Sequence, residues 1–319
     1  MQVLGFLFAW LMVLNRPPLV AAFLGASQTT FDVCRTEDTA VRMSSSDTST
    51  GSSRVTSKKG RLLVLGGTGF LGQAVCKRAA LDGFLVTSLS RRGRPPSSGD
   101  QSPSSTNIKY LAGDAREKST IAEILKEGSY TGIIHCVGLL LDEESGLGQY
   151  NRFASGSGSL PDSGSTYDTI TRLTAFNAMD AAIEYAKENN NNEPFPFCFA
   201  SAAEAGWPDM PGGSFVENNL APDFLKRYLA AKRAVEERLQ SSSSELLRPI
   251  IVRPSLIYTM DKPASLPAVG AFFIGNKIGL PFVDQPVTVQ SLANAMVRSI
   301  AQKETRGILR FQEINAMSE

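Results

Sequence analysis

Tyr228-Leu229-Ala230-Ala231-Lys232 places a phenol and an ammonium four residues apart, so on a helix the two lie on one face. An ammonium beside a phenol favours the phenolate and lowers its pKa. The tyrosine oxygen can then pass a proton to or from a substrate oxygen while the lysine also reaches a sugar hydroxyl. Taken alone the spacing is a common accident, and a plain helix face is the competing reading. Ser201, at the end of the apolar run Phe197 to Ala202, is the candidate substrate-orienting hydroxyl. His135 is the only histidine. Any Ser-His-Asp or Cys-His mechanism would have to run through it, and a multi-histidine metal site is excluded. It closes an apolar strand with no acidic neighbour in sequence, which favours packing over catalysis. Cys34, Cys76, Cys136 and Cys198 form no C-x-x-C pair, which argues against a zinc ribbon or a disulfide framework. The last three read as buried thiols. No metal site is expected.

Such residues need elements to hold them. Arg61 to Leu65 is a short β-rich run, Gly66-Gly67-Thr68-Gly69-Phe70-Leu71-Gly72 follows directly, and Gln73 to Asp82 reads as a helix. Strand, glycine turn and helix in that order, with Gly67-x-Gly69-x-x-Gly72 inside, are the local chemistry of a dinucleotide site. One of the first glycines permits the turn, Gly69 lets the backbone approach a pyrophosphate, and Gly72 lets the helix pack closely. The second strand, Phe84 to Ser90, ends where an NAD site would carry an acidic residue. Ser90 and Arg91 stand there, followed by Arg92 and Arg94. A guanidinium can hold a 2′-phosphate that a carboxylate would repel, so the sequence favours NADP(H) over NAD(H). The competing reading is that these arginines only solvate their loop. Asp114, after the strand Ile108 to Ala112, is placed near the adenine, with a surface-loop aspartate as the alternative. The strand Thr131 to Gly138 ends in small residues, bringing Val137 and Gly138 near the ribose and nicotinamide. With Pro249 to Val252 as a sixth strand, the pattern predicts an α/β doubly wound parallel sheet, a Rossmann fold, over residues 61–258.

The glycine turn, the fifth-strand serine, the Tyr228/Lys232 spacing and the step Arg253-Pro254-Ser255 together resemble an extended or atypical short-chain dehydrogenase/reductase across nearly all of residues 61–319. The segments GGTGFLG, SLSRRG, IIHCVGLLL, YDTITRLTA and YLAAKRAVEERL are similar to one subgroup of that superfamily. It includes coenzyme Q biosynthesis reductase-like proteins of fungal mitochondria, their plant plastoglobule relatives and, more distantly, the nucleotide-binding accessory subunit of respiratory complex I. The resemblance implies an NADP(H)-dependent oxidoreductase acting on a carbonyl, quinone-related or lipid substrate. Tyr228 would be the acid/base, Lys232 would hold the ribose and Ser201 would orient the substrate. Two departures bear on catalysis. Thr171 falls where the superfamily has its proton-relay asparagine. Alignment on Phe199 puts Ala202 at the serine position, whereas alignment on Gly206 puts Ser201 there. The rival reading is therefore a non-catalytic NAD(P)H-binding accessory protein, and a third is a redox-neutral epimerase retaining its nucleotide.

Residues 259–319 read as a small C-terminal substrate lid with closing Rossmann elements. Met260 to Phe282 is an apolar cover interrupted by prolines, too broken to span a membrane. Val287 to Val289 predicts a strand, Ser291 to Ala301 a capped helix and Ile308 to Phe311 a last strand. The Gly/Ser-rich loop Asp142 to Ser165 is expected at the substrate entrance. Before the fold, residues 1–22 read as a signal peptide, with the apolar run Val3 to Leu14, and residues 23–60 as a Ser/Thr-rich transit segment without structure. Together they predict a plastid, with the mitochondrion or the secretory route as alternatives. The 32 Lys+Arg and 31 Asp+Glu nearly cancel, so nothing global draws the chain to nucleic acid. The expected partners are a hydrophobic small molecule and a membrane-bound or lipid-associated complex.

Overall fold

The structure, a computed structural model, describes residues 59–94, 107–146, 148, 161–189, 193–242, 246–260, 266–277 and 282–318. The readings of the leader, of Cys34, and of most of the loops 95–106 and 147–160 lie outside these residues. The first strand, β1 (Arg61–Leu65), runs into helix α1 (Phe70–Leu81), then β2 (Leu85–Ser90), β3 (Ile108–Ala112) and α2 (Lys118–Lys126). Next come β4 (Gly132–His135), α3 (Thr174–Glu188), β5 (Phe195–Ala200), α4 (Gly213–Leu220), α5 (Asp223–Ser241) and β6 (Leu247–Val252). The chain closes with β7 (Ile257–Tyr258), α6 (Leu266–Lys277), β8 (Val287–Thr288), α7 (Val289–Ala301), β9 (Gly307–Leu309) and α8 (Phe311–Ser318).

Seven strands form one sheet in the order β3-β2-β1-β4-β5-β6-β9, every neighbouring pair parallel. This is the doubly wound Rossmann arrangement that the sequence predicts. The apolar strands are explained by burial on both sides. Leu62 and Val64 of β1 pack with α1 and α7 on one face, while Leu63 and Leu65 pack with α2, α3 and α5 on the other. The order of connections reverses between β1 and β4, which opens a crevice at their carboxyl ends where ligands of such sheets bind. A separate parallel pair, β7 and β8, together with α6 forms the small C-terminal region beside that crevice. Among the described residues no helix is long and apolar enough to cross a membrane.

Several element bounds differ from the sequence reading. Helix α1 begins at Phe70, before Gln73, because the glycine turn leads straight into helical geometry after Gly69. Helix α5 begins at Asp223 after Pro222, one turn ahead of Tyr228, so the Tyr/Lys pair sits inside a formed helix and not at its fraying start. Phe311 opens helix α8 instead of ending β9. The predicted α7 is present, and Thr288 caps it by accepting the Ser291 amide at 3.0 Å.

Candidate active site

A cleft of about 720 Å³ runs across the switch point. Its walls hold Gly66, Thr68, Gly69, Phe70 and Leu71 from the glycine turn, Ser90, Arg91 and Arg92 after β2, Asp114 after β3, Val137 and Gly138 after β4, and Ser201, Tyr228 and Lys232. The structure thus brings to one cavity almost every residue that sequence reasoning selected. Gly67 and Gly72 are the exceptions, and their role is packing. A Cβ on Gly72 would stand 2.1 Å from the Gly66 carbonyl oxygen, so only glycine lets α1 approach the turn. Gly66 takes the turn itself, with φ at 79°. No side chain caps α1, whose N-terminal dipole lies where the turn lines the cleft. That arrangement fits a pyrophosphate, and the 720 Å³ cleft has room for a cofactor-sized ligand.

At the end of the cleft beside β2 and β3, Arg91 forms an ion pair with Asp162. Asp114 accepts two bonds from the Arg116 guanidinium, at 2.9 and 2.5 Å, and one from the Arg116 amide at 2.9 Å. Those contacts hold the Asp114 carboxyl below its ordinary range.

At the other end Tyr228 and Lys232 share one face of α5, with Nζ 5.5 Å from the phenol ring centre. Lys232 donates to the Ala200 carbonyl at 2.6 Å and lies 4.8 Å from the Phe199 ring centre. Burial brings its ammonium down to about 8. The expectation that Lys232 lowers the phenol pKa is not met in this arrangement. Burial first, and then the Glu204 charge and Tyr167, push the Tyr228 phenol up. The ring is further fixed by an edge contact with Tyr167, 5.6 Å between centroids. Ser201 has its hydroxyl donated to Glu236, which also accepts bonds of 3.0 and 2.6 Å from Arg253. To orient a substrate oxygen Ser201 must rotate away from that carboxylate.

Thr171 lies in a π-helical turn, Asp168–Leu173, a distortion often found at functional sites. Its hydroxyl is buried with no hydrogen-bond partner among the described residues. A Cβ on Gly138 would be 3.9 Å from that hydroxyl and 3.6 Å from Lys232 Nζ, so both groups lie beside this glycine. His135 is fully buried, with Nε2 3.0 Å from the Thr174 hydroxyl, in agreement with a packing role. Cys76 and Cys198 are buried as expected, but Cys136 is only half-buried, because β4 ends before it and turns it toward the cleft.

Sequence reasoning missed Glu204, Asp162 and Arg116. Glu204 stands on the 3-10 turn Ala203–Asp209 after β5 and lines the cleft with Tyr228. Burial pushes its carboxyl up to about 7. A lone carboxylate in the alanine-rich stretch Ser201-Ala202-Ala203-Glu204-Ala205 was the signal that could have found it. Leu225, Leu256, Ile257 and Phe272 add apolar surface to the cleft.

The glycine turn at a topological switch, with a tyrosine and lysine at the far end of one cleft, defines a dinucleotide-binding Rossmann protein. The chain belongs to the NAD dependent epimerase/dehydratase family, whose pattern matches residues 62–268. It is 25% identical to MIOREX complex component 2 of Saccharomyces cerevisiae over 300 residues, which cover 80% of this chain and 98% of that protein. A stretch of 38 residues, 12% of this chain and 13% of its counterpart, is 55% identical to the Arabidopsis thaliana protein At1g32220, chloroplastic. Among solved structures, ElxO with NADP bound has a TM-score of 0.53 at 13% identity, covering 79% of this chain and 96% of that one. UDP-N-acetylglucosamine 4-epimerase from Methanobrevibacter ruminantium M1 has a TM-score of 0.51 at 16% identity, covering 80% and 76%. Aldohexose dehydrogenase of Thermoplasma acidophilum has 0.51 at 18%, covering 81% and 94%. These structural likenesses speak for the fold.

Proposed function

We propose that this protein is an NADP(H)-dependent oxidoreductase of the short-chain dehydrogenase/reductase type, acting on a carbonyl, quinone-related or lipid substrate inside an organelle. One observation carries the reading: the Tyr228/Lys232 pair opens into the same cleft as the glycine turn and the Ser90-Arg91-Arg92 edge. The bound nicotinamide would supply the hydride, or take it up in the reverse direction. Tyr228 would donate the proton to the substrate oxygen as the carbonyl is reduced. Lys232, charged below about pH 8, would hold the ribose. Thr171, beside Gly138 as Lys232 is, would stand in the relay asparagine's place. The apolar wall around Phe272 suits a hydrophobic substrate.

The plastid remains the preferred compartment on the leader pattern, supported by the chloroplastic relative, with the mitochondrion second. Membership of the coenzyme Q reductase-like subgroup belongs to the same proposal. The test is turnover with NADPH across a panel of carbonyls and quinones. Tyr228→Phe should bind NADPH as the wild type does and lose about 10²-fold or more in rate. Unchanged turnover in that variant would end the assignment.

A non-catalytic accessory role is the second reading, favoured by the Ser201 hydroxyl being bonded to Glu236 and by a relative named as a complex component. It requires that organelle function survive Tyr228→Phe and fail with Gly69→Asp.

A further inference from the structure

The end of the cleft beside β2 and β3 holds a carboxylate that the dinucleotide reading does not use. Asp162 forms its ion pair with Arg91 from a point 71 residues further along the chain, and both line the cleft. The turn that carries it is braced. The Asp162 amide donates to the Ser165 hydroxyl at 3.0 Å, the Ser165 amide returns a bond to the Asp162 carbonyl at 2.9 Å, and the Gly164 amide donates to Glu143 at 2.6 Å. Asp114, the neighbouring carboxylate, is saturated by Arg116 and makes no hydrogen bond or ion pair with Arg91. Among the described residues Asp162 is the carboxylate in direct ion-pair contact with Arg91, while Asp114 only feels its charge from further off.

We propose that Asp162 is a specificity-determining residue: its carboxylate stands in on Arg91 for a ribose 2′-phosphate, so that NADP(H) binds by displacing it whereas NAD(H) leaves the pair intact. The inference rests on the NADP(H) reading above. A phosphate with nearly two charges and three acceptor oxygens outcompetes a carboxylate for a guanidinium. The Arg91 and Asp162 side chains are 42% and 60% exposed, so their pair is weak enough to yield. Asp162 thus tunes the preference for NADP(H) downward without abolishing it, and its removal leaves Arg91 free for the phosphate.

Fluorescence titrations of NADPH and NADH into the wild type, Asp162→Asn, Arg91→Ala and the double variant test this. Asp162→Asn should tighten NADPH about three- to fivefold, the range open to an exposed pair, and leave NADH unchanged. The gain should vanish in the Arg91→Ala background, since Asp162 acts through that guanidinium. If Asp162→Asn changes neither nucleotide, or both alike, while Arg91→Ala still removes the NADPH preference, Asp162 is no competitor and the NADP(H) reading stands. If Arg91→Ala leaves the two nucleotides as they were, both readings fall together.

Discussion

Acidification should unfold this protein earlier than its carboxylates alone would require, and His135 is the reason. Its ring is fully buried on the sheet, 5.6 Å from the Phe199 ring centre. The Thr174 hydroxyl donates to the Ile170 carbonyl at 2.6 Å, so it accepts from the imidazole Nε2–H, and Nδ1 is buried with no hydrogen-bond partner among the described residues. A second proton would go onto that orphaned nitrogen, beside the Lys232 charge. Burial and then Lys232 lower the imidazole from 6.5 to about 3. A group with a depressed folded pKa contributes stability that is fully present above its unfolded value and is lost as pH falls toward the folded one. The window is therefore 6.5 down to about 3. At about 1.4 kcal/mol per pH unit, acidification to about pH 5 costs roughly 2 kcal/mol, and the ceiling over the whole window is about 5 kcal/mol. Glu204 works in the opposite sense, because its carboxyl is raised from 4.5 to about 7 and adds stability as pH falls through that range. The comparison must therefore be with His135→Asn, which retains an N–H donor and leaves Glu204 in place. Urea unfolding at several pH values between about 7.5 and about 5 gives the difference curve, in which the wild type should lose roughly 2 kcal/mol more than the variant. A flat difference curve would refute the claim that the fold holds this imidazole neutral.

Three further outcomes follow from the same geometry. Gly72→Ala should lower stability by about 1–3 kcal/mol and abolish nucleotide binding, since the added Cβ meets backbone that cannot yield; thermal melting and NADPH titration measure both. Glu236→Ala should cost about 3 kcal/mol in urea unfolding, because it leaves the buried Arg253 guanidinium with only the longer pair to the exposed Asp209, while Glu236→Leu with Arg253→Met should recover much of that loss. Glu204→Gln should lower the pH at which the Tyr228 phenol ionises, because the Glu204 charge is one of the groups pushing that phenol up; a spectroscopic tyrosine titration read against Tyr228→Phe measures it, and an unmoved titration would separate the two groups.

Most of the sheet and one half of the site were legible from local pattern. Apolar runs such as Arg61–Leu65 and Leu247–Val252 can satisfy both their faces only inside a two-sided sheet, and a glycine turn between strand and helix has one efficient use. Tyr228 and Lys232 were legible because helical spacing alone puts them together. The sequence could not show that α5 starts a turn earlier, since Pro222 and Asp223 are as good a loop as a helix start. Nor could it foresee which groups from distant segments meet at the carboxyl edge of the sheet: Asp162 on Arg91, Glu236 on Ser201, Thr174 on His135, and Glu204 in the cleft with Tyr228. The sequence by itself determined the strands, the glycine turn and the pairing of Tyr228 with Lys232 on one helix face, because spacing and side-chain chemistry act within a few residues. Tertiary structure alone decided the charges and bonds around that pair, because they depend on how separate loops are laid side by side, and burial there reverses the direction in which Tyr228 would otherwise titrate.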